Sequence, residues 1–309
     1  MKPILNFLLL LLVMTSNAAY ASKVSNRFNL SDKLSVAVVD FGHLHHLAKV
    51  AADAIAKQIS VQEGLSLIDR EQANTAARGI GYGGSLNMTL EEARNLGMAI
   101  GCNYMIIGDA QTIRRSPATD KFYFEAYASF FLVSTRTGRL LYWERPAFNA
   151  PTDDMAESQL LDELKLAGPK LASIIYATDE SEREANLVVM ASDASVIAGV
   201  EGVEGVKGVK GGDQSEKPGY RPPQPYRRLQ PIYPETAARS EVEATVDVLV
   251  ELDERGEVSK VDVVRWAGFG LDESTMTTVR SLHFRPAMQD GKPFATRVLL
   301  RYNFRKPIR

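Results

Sequence analysis

The sequence predicts a chain of mixed class: an α/β domain of three layers over 32–178, a flexible linker over 179–229, and a small α+β sheet domain over 230–309. Three patterns carry this. Short β-branched apolar runs alternate with helix-spaced apolar positions through the first half, the order of an α/β sheet covered by helices. A Gly-Val-charge repeat followed by a proline cluster then interrupts all periodicity. Beyond it come two alternating strands about a Gly turn, a short helix and a long last strand.

The 309 residues suffice for two cores, and 45% hydrophobic with 24% charged residues is ordinary for globular protein. A net charge of -2 gives no general argument for nucleic acid or an acidic membrane surface. Cys102 is the single cysteine, so the chain has no internal disulfide and no cysteine-based zinc cluster. Its apolar surroundings predict a buried, inert thiol.

Taken in order, Lys2, the apolar run Ile4 to Met14 and Ala19-Tyr20-Ala21 read as a secretory signal peptide over 1–21, and export of a chain without disulfides is compatible with a bacterial periplasm, the expected location. The run is shorter than the roughly 20 residues that a spanning helix needs. Leu34 to Phe41 and Leu65 to Asp69 are strands, with helix-spaced Leu44, Leu47, Ala51, Ala54, Ile55 and Ile59 between them. Thr89-Leu-Glu-Glu92 is a capping box that opens a helix carrying Ala93, Leu96 and Ile100 inward. Tyr104 to Ala110 is a third strand, and Phe122 to Val133 and Arg139 to Trp143 flank the turn Thr135 to Gly138. Asp153 to about Ala177 is helical and is expected to break at Gly168-Pro169.

Val36-Ala-Val-Val-Asp-Phe41, Leu67-Ile-Asp-Arg-Glu71, Ala93-x-x-Leu96-Gly97, Asn103-Tyr-Met-Ile-Ile-Gly108 and Thr137-Gly138-Arg139 resemble the pattern of CsgG and TolB N-terminal α/β domains. The resemblance covers about 34–145 and implies a periplasmic binding or scaffold domain with no chemistry of its own.

Candidates for chemistry fall away on spacing. His43, His45 and His46 follow the first strand near Asp40, but adjacent histidines point apart, and a metal site needs three converging ligands. Gly79 to Gly84 follows a helix and has no following lysine, so it reads as a flexible surface loop and not a phosphate cradle. Asp153-Asp154 and Glu91-Glu92 sit at helix starts, where the dipole accounts for them. No nucleophile elbow or His-Glu-x-x-His occurs. The expectation is no enzyme, no catalytic residue, no metal, no cofactor, no nucleic acid and no small-molecule substrate.

In the linker, Gly199 to Gly212 repeats Gly-Val-charge, a composition expected to stay disordered, and Lys217 to Pro231 is proline-rich and extended. Such a tether would give the last domain reach. In that domain, Val242 to Leu252 alternates, Asp253 to Gly256 turns, Val258 to Trp266 returns antiparallel, and Asp272 is expected to cap a helix carrying Met276 and Val279 inward. After Gln289 to Pro293, the strand from Phe294 to Phe304 alternates to the end.

Gln230-Pro231-x-Tyr233-Pro234, Asp253 to Gly256 with Val258, Leu271-Asp272, Phe284-Arg-Pro286, Gly291-x-Pro293 and the strand ending at Phe304 are similar to the TonB C-terminal domain. The resemblance implies a module that binds a short segment of an outer-membrane receptor, or of another envelope protein, as a strand added beside the last strand, in support of transport. It implies contacts at Gln230, Pro231, Tyr233 and Pro234, and along the edge at Arg297, Leu299, Arg301 and Asn303. Leu300→Pro is the expected probe of that edge. A signal peptide replaces the family's motor-coupled anchor helix, so direct motor coupling is not expected, and Ala244 stands where a glycine is usual. The alternative is an envelope assembly scaffold whose α/β domain is the main binding module.

Overall fold

The computed structural model describes residues 33–42, 46–116, 122–196 and 219–306. The signal peptide, His43, His45 and the Gly-Val repeat lie outside the described residues.

The apolar runs assemble one mixed sheet. β1 (Leu34–Val38) lies parallel to β4 (Tyr104–Arg115), with Val36 opposite Tyr104 and Val38 opposite Ile106. β2 (Leu65–Leu67) adds outside β1. β4 runs antiparallel to β5 (Tyr123–Ser134) along its whole length. β6 (Leu140–Glu144) and β7 (Ala147–Ala150) pair with separate parts of β5.

Both faces of this sheet are covered, as its continuous apolar strands require. α1 (His46–Ser60) buries Leu47, Ala51, Ile55 and Ile59 and packs against α4 (Asp153–Leu164) and α5 (Ala167–Val196). The opposite face carries Ala37, Met105, Ile107, Phe131 and Val133, which join a core with α2 (Arg70–Gly79) and α3 (Leu90–Ile100). The capping box at α3 is complete: Thr89 accepts from the Glu92 amide, and the Thr89 amide donates to Glu92.

Two expectations about the helices are corrected. The break falls at Lys165-Leu166, ahead of Gly168-Pro169. Pro169 then sits in the first turn of α5, where its missing amide has no intrahelical partner to lose. The linker does not begin at 179: α5 continues to Val196. Asp179 and Glu182 on that helix are held by Arg136, and Ser134 donates to Glu182 at 2.9 Å.

In the last domain β10 (Ala244–Leu252) is central, with β11 (Val258–Trp266) on one side and β15 (Thr296–Phe304) on the other, both antiparallel. Gly256 takes a φ of 82° in the turn between β10 and β11, and a Cβ there would lie 2.1 Å from the Phe284 carbonyl. α7 (Leu271–Arg280) covers the sheet, burying Leu271, Thr275 and Val279. The expected cap at Asp272 is corrected: Gly270 is the N-cap residue, and Asp272 turns back to accept from the amides of Ala267 and Gly268 at 2.9 and 2.8 Å.

The expected reach of this domain is also corrected, because it is docked. The described residues from Ser35 onward belong to one compact unit. β3 (Met88–Thr89) pairs with Arg265 and Trp266 of β11, becoming the fourth strand of the domain's sheet. The loop 80–87 thus delivers a strand to a neighbour instead of lying free on the surface. Trp266 stacks on Phe131 with centroids 6.0 Å apart and donates its indole N–H to the Gly138 carbonyl at 3.0 Å. Phe269 meets Phe131 and Trp143, each at 5.5 Å. Arg139 pairs with Asp262 and Arg265 with Glu92 across the same seam. One apolar core runs from Phe131 through Trp266 to Val248 and Leu252.

Candidate protein-binding edge

β15 is the outer strand of its sheet; among the described residues it pairs with β10 alone. Its side chains alternate, Val298, Leu300, Tyr302 and Phe304 inward and Arg297, Leu299, Arg301 and Asn303 outward. The alternation separates the faces of the sheet, whereas an added strand needs free backbone groups along the edge.

Asn87 locates those groups. Its side chain accepts from the Thr245 amide at 3.1 Å and donates to the Thr245 carbonyl at 2.8 Å and the Trp266 carbonyl at 2.7 Å. The backbone groups of Thr245 therefore point away from β15. In an antiparallel ladder, directly opposed residues either exchange both hydrogen bonds or turn both pairs of groups outward. Thr245 opposes Asn303, so Asn303 turns its own amide and carbonyl to the open edge. The register runs unbroken from Thr245↔Asn303 to Glu251↔Arg297, so Arg301, Leu299 and Arg297 share that orientation. Leu300, opposite Val248, directs its amide inward to β10. Leu300 is thus the wrong residue for a proline probe of the edge, and Leu299 is the right one.

The outward side chains are held in a charge ladder. Arg301 grips the buried Asp247 with Nε and Nη2 at 2.7 and 2.9 Å, and Arg265 approaches the same carboxylate at 3.5 Å from the other flank. The Asp247 hydrogen bond raises the Arg301 pKa. Arg297 pairs with Glu251 at 2.7 Å. Leu299 stands between them, 57% exposed.

The lead-in arm divides its residues between two jobs. Tyr233 donates to the carbonyls of Val242 at 2.6 Å and Ala237 at 3.3 Å, and its ring lies 6.2 Å from Phe304. Burial, then Glu243 and Glu241, push its phenol pKa up. Pro234 is the N-cap residue of α6 (Glu235–Arg239) and packs where Gly270 leaves room. Both residues fasten the arm to the domain. Pro231 is half-buried, and Gln230 lies exposed beside β15. Ile232 is 80% exposed, and its carbonyl accepts from Ser274. Sequence reasoning passed over Ile232, which its place inside the Gln-Pro-x-Tyr-Pro motif could have flagged.

Upstream of the arm, β8 (Tyr220–Arg221) and β9 (Gln224–Pro225) pair with β13 (Ala287–Gln289) and β12 (Phe284–Arg285), and β14 (Lys292–Phe294) closes the hairpin with β13. Of the segment expected to be extended, Tyr220–Arg221 and Gln224–Pro225 are paired strand, and Lys217 and Pro218 lie outside the described residues. Between the arm and β15 lies a groove of about 440 Å³, lined by Arg227, Arg228, Gln230, Leu300, Arg301 and Asn303 among others. The eight residues named from the sequence therefore do not form one site. Gln230, Arg301 and Asn303 line the groove, Arg297 and Leu299 continue its edge, Pro231 is half-buried in the arm, and Tyr233 and Pro234 serve the fold.

No curated protein matches the sequence. Solved structures overlap parts of the fold. The Pseudomonas aeruginosa TonB C-terminal domain is 21% identical, with 30% of this chain and 93% of that one covered, at a TM-score of 0.25. The LpoB C-terminal domain from Salmonella enterica is 16% identical over 41% and 90%, at 0.27. A lipoprotein from Neisseria meningitidis is 12% identical over 48% and 99%, at 0.31. The family model described as Gram-negative bacterial TonB protein C-terminal matches residues 229–305, and that stretch of the chain is a TonB C-terminal domain.

Proposed function

We propose that this chain is a periplasmic protein-binding protein. Its β15 edge takes an extended segment of an outer-membrane receptor of the TonB-dependent type, or of another envelope protein, as an added strand, in support of transport. The observation behind this reading is an edge strand of nine residues whose amides at Arg297, Leu299, Arg301 and Asn303 face outward with no strand against them among the described residues. Main-chain hydrogen bonds would supply the affinity and the flanking side chains the selection. No bond-making step and no cofactor enter this reading. No helix of the described residues is long and apolar enough to cross a membrane.

Amide hydrogen exchange on the full chain tests it. In the free protein Val298, Leu300 and Tyr302 exchange slowly, while Leu299, Arg301 and Asn303 exchange fast. Adding a peptide copied from the periplasm-facing segment of an outer-membrane receptor should slow the second set. A bound peptide that protects other amides and leaves these three fast refutes strand addition at β15.

A further inference from the structure

The groove beside β15 has two walls of different character, and the difference bears on which strand it accepts. One wall is the open edge at Leu300 to Asn303; the other is the start of the arm, Arg227 to Gln230, with Pro225 at the end of β9 ahead of it. Four edge residues at about 3.3 Å each make a slot some 13 Å long. Its floor is apolar, with Leu282, Leu300 and Tyr302. Its rim is basic: Arg227 and Arg228 are exposed and form no ion pair with a described residue. Arg301 adds a third guanidinium, partly neutralised by Asp247, and Arg297 a fourth further along, paired with Glu251. Among the described residues no carboxylate lines the groove.

We infer that Arg227 and Arg228 make this slot selective for an extended segment with carboxylate side chains facing the arm and apolar side chains facing the floor. The inference rests on the strand-addition reading and names the chemistry of its partner. A strand seated against β15 alternates its side chains. One set drops toward Leu300 and Tyr302, and the other projects toward the arm, where two guanidinium groups stand with no ion-pair partner among the described residues. Guanidinium binds carboxylate through paired N–H donors, and a groove lined by one sign of charge draws in the opposite sign. An anionic lipid surface would satisfy the arginines as well. It would leave the outward amides of Leu299, Arg301 and Asn303 without partners, so the combination of cations and open edge favours a peptide.

Three synthetic octapeptides test this, with the same alternating valines and with Glu, Gln or Lys at two of the intervening positions. Binding to the full chain is read by fluorescence anisotropy at low and high salt, beside vesicles containing phosphatidylglycerol. The Glu peptide should bind about tenfold tighter than the Gln peptide, since two exposed ion pairs together supply on the order of the free energy for a tenfold change. High salt should narrow the difference. Arg227→Glu/Arg228→Glu, two exposed changes compatible with folding, should reverse the order in favour of the Lys peptide. Equal binding of all three peptides overturns the inference and leaves strand addition standing. So does a ranking that the double variant does not change. Vesicle binding that needs both arginines, alongside charge-blind peptide binding, overturns it in favour of lipid. Failure of every peptide to bind removes the strand-addition reading and the inference with it.

Discussion

Proline at Leu299 and proline at Leu300 should have opposite effects, although the residues are adjacent. Leu300 opposes Val248 in the set of pairs that exchange hydrogen bonds. Leu300→Pro deletes that donor and strands the carbonyl of Val248, a residue with 0% exposure. The lost bond is worth about 1 kcal/mol and the unpaired buried carbonyl about 1–3 kcal/mol, so roughly 2–4 kcal/mol of stability should go. Leu299 turns its amide to the open edge, where a strand tolerates proline. The residue before it, Val298, is already extended, as a pre-proline residue prefers. Leu299→Pro should therefore cost less than about 1 kcal/mol, mostly in φ adjustment and the lost leucine surface. It also removes a donor that an added strand needs and puts a ring in its path, so binding should weaken about tenfold or more. Urea unfolding of both variants, followed by peptide titration of Leu299→Pro, measures the two effects. Equal destabilisation by the two prolines would refute the register argument drawn from Asn87. A folded Leu299→Pro that binds as tightly as the parent would refute the use of the edge.

Two further outcomes test the docking seam. Asn87→Ala removes three hydrogen bonds to the ends of β10 and β11 and leaves partly buried backbone groups unpaired, so the unfolding midpoint in urea should fall by an amount equivalent to about 2–4 kcal/mol. Burial raises the Asp272 carboxyl from 3.8 to about 7, against the pull of the Gly268 and Ala267 amides. Between those two values the folded state holds a proton that the unfolded state has released, so this group's stabilising share is full below about 4 and is lost as pH rises through 7. Thermal unfolding across pH 4 to 8 should show that decline, and Asp272→Asn should flatten it.

What was legible in the sequence was local. Alternation from Val246 to Leu252 and from Val298 to Phe304 follows directly from a strand with one buried face, and the Thr89–Glu92 capping box is a four-residue signal. Three features were not local. Alternation fixes which face of a sheet a side chain takes, but which edge its amide faces depends on the pairing with β10, so Leu299 and Leu300 could not be told apart. β3 is two residues long and meets Arg265 and Trp266 more than 170 residues away; Gly79 to Ser85 carries no pattern announcing that contact. Asp272 has the composition of a helix cap, yet the αL turn at Gly270 makes it an acceptor for the preceding loop instead. The charged stretch after 178 hid a continuing helix because its anchors, Asp179 and Glu182, find Arg136 on another element. Arg227 and Arg228 passed as part of a proline-rich spacer, and only the groove beside β15 gives the pair a role.

Docking changes what the tethered sheet can offer. A four-stranded sheet has two outer strands, and an unprotected edge pairs indiscriminately with other chains. Here β3 and Asn87 occupy the side of β11 at its Trp266 end, and the stack of Trp266 and Phe269 on Phe131 fixes that side to the α/β domain. Gly268 makes the fit a close one: a Cβ there would lie 2.3 Å from the Phe131 ring, at a φ of 71° that side chains disfavour. The edge left along β15 is the one bordered by arginines and by the arm. The α/β domain thus supports the edge by covering the far side of the sheet and holding β10 in register. Gly268→Ala separates this arrangement from a simple tether. Were the domains independent, the change would cost only the local strain of a side chain at that φ, next to Trp266; with a shared core, the clash at Phe131 should add to it, loosen Trp266 and reach the β10–β15 ladder through Asn87.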